Sequence, residues 1–128
     1  MRKGRYTKKN VWDQAASIDL YRGGEKLDAG ANYFVLMLDQ MGLPTHYSCE
    51  GHPNGFYVTF EASYEAALKI KNAGYFAVEI EGQTYWSIRN HMNYMGSERE
   101  KIDAMRWAAA AWEQRFGPLD FEKITVSA

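Results

Sequence analysis

The sequence predicts a single α+β domain, in which one layer of about four short, mainly antiparallel strands packs on amphipathic helices. Three observations support this fold class. Apolar residues recur at intervals of three and four in several segments, as they do in helices with one buried face. Other segments alternate apolar and polar residues, as half-buried strands do. Gly- and Pro-containing turns separate the segments and give the order α-α-β-β-α-β-β-α.

Two helices are predicted before the first strand. The first covers 11–21 and ends near a Gly-Gly pair. The second covers 29–41 and ends at Gly42, a C-capping residue, because Pro44 cannot continue a helix. Its buried stripe is predicted to consist of Phe34, Met37, Leu38 and Met41.

Two further helices are predicted from their capping residues. Ser63 is the expected N-cap of a helix over 64–72. Ser97 and Glu100 have the spacing of a capping box, in which each side chain accepts the backbone N–H of the other residue. The helix that begins there is predicted to end at Gly117.

The predicted strands form two hairpins. They cover 45–49, 56–61, 76–81 and 84–90. In the second strand, Phe56, Val58 and Phe60 share one face, while Tyr57 and Thr59 share the other. A short additional edge strand is predicted over 124–126. The pattern leaves open whether the helix between the second and third strands joins neighbouring strands or spans the sheet.

Charge divides the chain into a basic arm over 1–10 and a domain over 11–128. Five of the fifteen Lys and Arg residues lie in the arm, namely Arg2, Lys3, Arg5, Lys8 and Lys9. The remaining 118 residues hold 10 basic and 16 acidic side chains, a formal charge of −6. The arm is either a phosphate-contacting segment or a solvated, frayed terminus. The acidic domain argues against a broad nucleic-acid-binding face.

Composition also bears on the compartment. No apolar run is long enough to span a membrane, and the basic first residues lack the apolar segment of a secretory signal. Cys49 is the single cysteine, so no intramolecular disulfide can form and a reducing compartment is expected. The sequence therefore predicts a cytoplasmic protein with no membrane partner.

A cysteine and three histidines suggest two kinds of chemistry. His46, Cys49 and His52 have an H-x-x-C-x-x-H spacing, and with His91 they would complete a tetrahedral zinc site. Alternatively, Cys49 is a nucleophile activated by His52 or His91. Against zinc, alternation along a strand would point His46 and Cys49 to opposite faces, and a lone cysteine beside a sheet is often a small buried apolar residue.

A third interpretation is a binding surface without catalysis. The loop over 48–55 is rich in turn formers, and loops on a rigid scaffold often carry binding residues. The expected partner-binding residues are Tyr47, Glu50, His52, Asn54, Tyr57, Tyr85 and Arg89. Nearby glutamates favour a protein partner over nucleic acid. The alternative is that the N-terminal helix covers the face of the sheet that carries Tyr57, Tyr85 and Arg89.

One stretch resembles a known group of proteins. The sequence G-L-P-T-H-Y-S-C-E-G-H-P over 42–53, followed by G-F-Y-V-T-F over 55–60, resembles small bacterial and phage proteins that carry a helix, a T-x-x-S-C-x-G-H-P turn and a strand. The resemblance implies a phage-type inhibitor of a bacterial defence system such as CRISPR-Cas, acting in the host cytoplasm. The leading hypothesis is thus a non-enzymatic binding protein without a cofactor. The alternative is an enzyme or zinc protein centred on Cys49 and His52.

Overall fold

A computed structural model describes residues 10–49, 56–90 and 97–124. The helices are α1 (Val11–Ala16), α2 (Asn32–Gln40), α3 (Tyr64–Asn72) and α4 (Glu98–Phe116). The strands are β1 (Tyr21–Arg22), β2 (Glu25–Lys26), β3 (Thr45–Cys49), β4 (Tyr57–Glu61), β5 (Phe76–Ile80) and β6 (Tyr85–Asn90). The predicted α+β fold class and its element order are confirmed. The ribbon of β1 and β2 is an addition that the sequence did not predict.

The first helix is shorter than predicted because its C-terminus is satisfied early. Ser17 Oγ donates to the Gln14 carbonyl, 2.7 Å away, and Asn32 Nδ2 donates to the carbonyls of Ala15 and Ile18 at 3.1 and 2.9 Å. These side chains replace the N–H groups that the next helical turn would have supplied. The residues after the helix then form the β1–β2 ribbon.

The ribbon turns at the Gly-Gly pair, for which the sequence pattern indicates only a helix end. Gly23 and Gly24 have φ values of 60° and 84°. Positive φ at both central residues is what a type I′ hairpin requires, and glycine adopts it without a Cβ clash. The same dipeptide therefore belongs to a hairpin rather than to a helix end.

The main sheet has the strand order β3-β4-β6-β5, and every neighbouring pair is antiparallel. The strand β6 therefore lies between β4 and β5, which run parallel to each other without being in contact as a pair. The helix α3 makes the connection from β4 to β5 across β6. This settles the question that the sequence pattern left open.

One face of the sheet packs on the helices and forms the core. Phe56, Val58, Phe60 and Ile88 are buried there, as the alternation over 56–61 predicted. Phe34 of α2 joins the layers, because its ring makes edge contacts with the buried rings of α4 and the sheet. The aromatic residues are thus largely structural on this side of the sheet.

The helix α1 packs against the other helices, on the same side of the sheet as the core. It does not lie on the second face of the sheet. Asp13 accepts two hydrogen bonds from Arg106, from Nη2 at 2.9 Å and from Nε at 3.0 Å. Trp12 Nε1 donates to the Gly30 carbonyl at 3.0 Å, and α1 contacts α2 and α4. A bidentate arginine–carboxylate pair fixes both distance and orientation.

The predicted caps of α3 and α4 are present. Ser63 Oγ accepts the Ala66 N–H, and Ser97 and Glu100 form the reciprocal capping box. Gly117, at φ 93°, ends α4. Each of these caps joins residues within one helical turn, which is why the sequence alone indicates them.

Some of the sequence predictions concern residues outside the described ranges. The basic residues Arg2, Lys3, Arg5, Lys8 and Lys9 lie outside the described residues. So does most of the predicted tail strand, although Ile124 itself is described and is not in a strand. None of the helices within the described residues combines the length and the apolar content needed to cross a membrane.

Candidate functional site

Among the described residues, no helix covers the second face of the four-stranded sheet, here called the outer face. Its residues are His46, Tyr47, Cys49, Tyr57, Thr59, Glu61, Ala77, Glu79, Tyr85, Ser87 and Arg89. Tyr47 is 72% exposed and Tyr85 is 41% exposed. The N-terminal helix does not cover this face, because α1 packs on α2 and α4 instead. The alternative that α1 buries the tyrosines is therefore wrong.

Arg89 organises one half of the outer face. Its Nε lies 3.2 Å from Glu79 Oε1, and its Nη2 lies 3.2 Å from Glu81 Oε2. Its Cζ lies 5.4 Å from the centre of the Tyr57 ring, within the range of a cation–π contact. The guanidinium is thus held by two carboxylates and one aromatic ring.

Glu81 is also bound by the hydroxyl of Ser87. Ser87 Oγ donates to Glu81 Oε2 at 2.7 Å, and Ser87 is fully buried although it belongs to the outer face. The Ser87 hydrogen bond, followed by the hydrogen bond from Arg89, lowers the pKa of Glu81 below its ordinary value. The carboxylate therefore stays charged and keeps Arg89 in place.

Removing the Ser87 hydroxyl is expected to raise the pKa of Glu81. Since the folded pKa is depressed, the interaction contributes stability above the ordinary carboxyl pKa and loses it as the pH falls through the folded value. The Ser87→Ala variant should move the Glu81 titration upward, as measured by carboxyl chemical shifts in NMR. Ser63→Ala, which removes a hydroxyl from a distant helix cap, should leave that titration unchanged. An unchanged pKa in Ser87→Ala would contradict the assignment.

A β-bulge shapes the other half of the outer face. Thr45 pairs with Phe60 but Tyr47 pairs with Thr59, so His46 is the extra residue in β3. His46 Nε2 lies 2.9 Å from Glu61 Oε2, and its ring meets that of Tyr85 edge-on at 4.9 Å. The bulge thereby exposes two consecutive side chains, His46 and Tyr47, on the outer face.

The same bulge corrects an expectation about the metal hypothesis. Regular alternation would have pointed His46 and Cys49 to opposite faces, whereas the extra residue brings both to the outer face. Cys49 nevertheless lies three positions after His46, roughly 10 Å along the strand. His46 is also already paired with Glu61. Within the described ranges, no group of three or more His, Cys, Asp or Glu side chains could hold a metal ion.

Several predicted site residues cannot be placed in this way. Glu50, His52, Asn54 and His91 lie outside the described residues. Zinc binding and nucleophilic catalysis by Cys49 both depend on His52 or His91, so both stay predictions. The part of the site that the structure brings together is the outer face itself.

Sequence reasoning placed the tyrosines and Arg89 on one face but missed how they are connected. Alternation from Tyr85 already assigns Ser87 and Arg89 to the same side, so Ser87 could have been found. The contact between His46 and Tyr85 carried no such signal, because it depends on the bulge.

A groove also lies at the far end of the helical layer. It has a volume of about 990 Å³ and is lined by residues of α2 and of the segment after α4, including Leu36 and Leu119. Its polar groups bind one another: Gln40 Nε2 donates to the Pro118 carbonyl at 2.9 Å, and Arg22 pairs with Asp39 at 3.0 Å. These polar groups are thus engaged within the protein, while Lys123, which also lines the groove, has a largely exposed side chain.

Comparison with known proteins gives no match: no protein-family model, no curated protein and no solved structure is significantly similar to this chain. The functional argument therefore depends on the geometry of the outer face.

Proposed function

We propose that this protein is a non-enzymatic binding protein that docks on a partner protein through the outer face of its sheet. The observation that carries the proposal is a sheet face that no described helix covers, on which Tyr47, Tyr57 and Tyr85 lie among charged side chains. Tyrosine supplies a large contact area at a small entropic cost, and it is enriched in protein interfaces.

The charges on the face favour a protein over a nucleic acid. Glu61 and Glu79 on the face, with Glu81 directly after β5, supply three carboxylates, and Arg89 is the single arginine or lysine among the outer-face residues. Arg89 is already bound by two of these carboxylates. A phosphate backbone would meet net negative charge here, whereas a basic protein surface would be attracted.

The face also indicates which side chain of the partner it would accept. Tyr57, Glu79 and Glu81 already hold a guanidinium, that of Arg89. Tyr85 and Glu61 form a second such combination of an aromatic ring and a carboxylate elsewhere on the outer face. His46 contacts both of them. An arginine or lysine of the partner would replace His46 as the group that contacts Tyr85 and Glu61 at this second position.

Inhibition of a bacterial defence system, which the sequence resemblance implies, is one form that such binding can take. An inhibitor of this kind would act in the host cytoplasm by occupying a functional surface of its target. The outer face supports the binding step of this proposal through its exposed tyrosines and acidic charge.

The proposal predicts that two tyrosines carry much of the binding energy. The tagged protein is used to capture partners from nuclease-treated lysate, and the affinity is then measured with the purified partner. The double variant Tyr47→Ala/Tyr85→Ala should weaken binding by about tenfold to a hundredfold, because tyrosines are frequent hot spots of protein interfaces. Binding should also weaken as the salt concentration rises.

A matched control is available on another surface. Tyr64, at the start of α3, is 66% exposed and lies away from the outer face, so Tyr64→Ala should bind as the wild type does. Circular dichroism verifies that each variant is folded. A partner that binds the double variant as tightly as the wild type uses another surface, and a partner lost on nuclease treatment is held by nucleic acid. Either result contradicts the proposal.

A further inference from the structure

The strand β5 forms one edge of the sheet, and the direction of its backbone groups can be derived from the hydrogen bonds. The Glu81 N–H donates to the Tyr85 carbonyl at 2.8 Å, which continues the β5–β6 register without a shift. Backbone groups alternate along a strand, so Ala77 and Glu79 also point toward β6. Phe76, Val78 and Ile80 therefore direct their N–H and C=O groups away from the sheet.

The other edge of the sheet is protected. In β3, the bulge at His46 interrupts regular pairing, and bulges are a known means of blunting an edge. The outward N–H of Thr45 donates to Asp39 Oδ1 at 3.3 Å, and the Thr45 hydroxyl contacts the same oxygen at 3.1 Å. This edge is a poor template for a further strand.

No comparable protection is present at β5 among the described residues. The strand contains no proline, lysine, arginine or bulge, and the carboxylate of Glu79 is paired with Arg89 on the outer face. Ile80 is 60% exposed at one end of the strand. At the other end, Tyr75 packs edge-on against Trp107 at 4.7 Å, and Trp107 is 66% exposed.

We propose that two copies of this protein associate through β5, forming a continuous eight-stranded sheet with a two-fold axis at Val78. In this arrangement Val78 faces Val78 of the second copy, and Phe76 faces Ile80. Val78 would pair with Val78 of the second copy through two backbone hydrogen bonds, and complete pairing of Phe76 with Ile80 at both ends would bring the number to six, although Phe76 is only 3% exposed before association. The inference does not depend on the proposed function of the outer face.

The side chains favour this register over its neighbours. Centring the axis on Val78 places the exposed Ile80 of each copy beside Phe76 and close to the Tyr75–Trp107 pair of the other. On the outer face it places Ala77 opposite Glu79. Moving the axis to Ile80 would oppose Glu79 and Glu81, and moving it to Phe76 would run the pairing into the end of α3.

The register makes opposite predictions for two substitutions at Ala77. Ala77→Lys would place a cation opposite Glu79 of the second copy, twice per dimer, whereas Ala77→Glu would oppose like charges twice. We expect Ala77→Lys to lower the dimer Kd and Ala77→Glu to raise it, each by about fivefold to tenfold. Within one copy Ala77 neighbours Arg89, so effects on monomer stability have the reverse sign. The dimer Kd is measured by sedimentation velocity on the full chain.

The interface is small, so the dimer is expected to be weak and the concentration series should run from about 1 to about 500 μM. A dimer whose Kd follows the order Ala77→Lys, wild type, Ala77→Glu supports the proposal. A monomer throughout this range overturns it. A dimer that is indifferent to both substitutions, or that shows the reverse order, also overturns it, because association then uses another surface or register.

A crosslinking measurement tests the axis itself. In a Cys49→Ala background, Val78→Cys would place two thiols across the axis, with Cα atoms about 5.5 Å apart, a spacing that a disulfide accepts. Glu79→Cys is the control: it is more exposed, but its symmetry mate would lie beyond disulfide reach. Under mild oxidation we expect at least about tenfold faster dimer formation for Val78→Cys. Equal rates, or a faster rate for Glu79→Cys, would overturn the proposed axis.

Discussion

Replacing Phe34 with alanine is expected to lower the free energy of unfolding by about 3–5 kcal/mol. Phe34 is fully buried in α2, and its ring meets those of Phe56, Phe76 and Trp112 edge-on at 5.6, 5.0 and 5.2 Å. It therefore joins α2 to α4 and to the sheet. Alanine would leave a cavity where three elements meet, and none of the surrounding rings can fill it without leaving another of its own contacts.

Urea denaturation followed by tryptophan fluorescence measures this effect. Domains of this size are typically stable by about 5–15 kcal/mol, so the loss would be a large share of the total. Tyr85→Ala serves as the aromatic control, because Tyr85 is 41% exposed and its removal should cost about 1 kcal/mol or less. A loss of less than about 1 kcal/mol for Phe34→Ala would mean that the core is organised around other residues.

The second large effect is expected at Asn32, a fully buried polar residue at the start of α2. Its Nδ2 donates to the carbonyl of Ala15, in the last turn of α1, and to that of Ile18, just after the helix. Asn32→Ala removes both donors, so the buried Ala15 carbonyl keeps only the Ile18 N–H, and the half-buried Ile18 carbonyl loses this partner. The expected cost is about 2–4 kcal/mol, since each buried polar group that loses its partner costs about 1–3 kcal/mol.

Asn32→Asp distinguishes hydrogen bonding from simple loss of volume. Aspartate has nearly the same shape, but at neutral pH it would direct a carboxylate at two carbonyl oxygens. We therefore expect Asn32→Asp to be more destabilising than Asn32→Ala at pH 7. Asn72→Ala, at the exposed end of α3, is the control and should change stability by less than about 0.5 kcal/mol. If Asn32→Asp proved the milder change, the two donated hydrogen bonds would not be the important feature of this residue.

Local sequence signals predicted most of the fold. Ser63 and Ser97 mark the starts of α3 and α4 because a cap is a contact within one helical turn, which a sequence shows directly. The alternation of Phe56, Val58 and Phe60 predicted a strand and its buried face for the same reason. Such features need no knowledge of the rest of the chain.

The wrong length of the first helix and the undecided strand order both concern places where a distant residue determines the local structure. The end of α1 depends on Asn32, which is more than ten residues away in sequence, so the helix was predicted too long. The strand order depends on how β6 fits between two strands that precede it.

The candidate site likewise has one part that the sequence predicted and one part that it did not. Tyr57, Tyr85 and Arg89 were placed on one face by alternation alone. The pairing of His46 with Glu61 and its contact with Tyr85 exist only because of the bulge in β3. A one-residue insertion in strand pairing leaves no mark in the polarity pattern of five residues, so this half of the face could not be predicted.

The position of β6 at the centre of the sheet also constrains how the chain folds during its synthesis. The strands β4 and β5 leave the ribosome before β6, yet each has β6 as a hydrogen-bonded neighbour. Until residues 85–90 emerge, β4 can pair only with β3, and the apolar strand β5 has no neighbour in the sheet. Completion of the sheet is thus a late, non-local step that requires a long loop to close. In that interval the nascent chain exposes the apolar strand that a chaperone or a second nascent chain would bind.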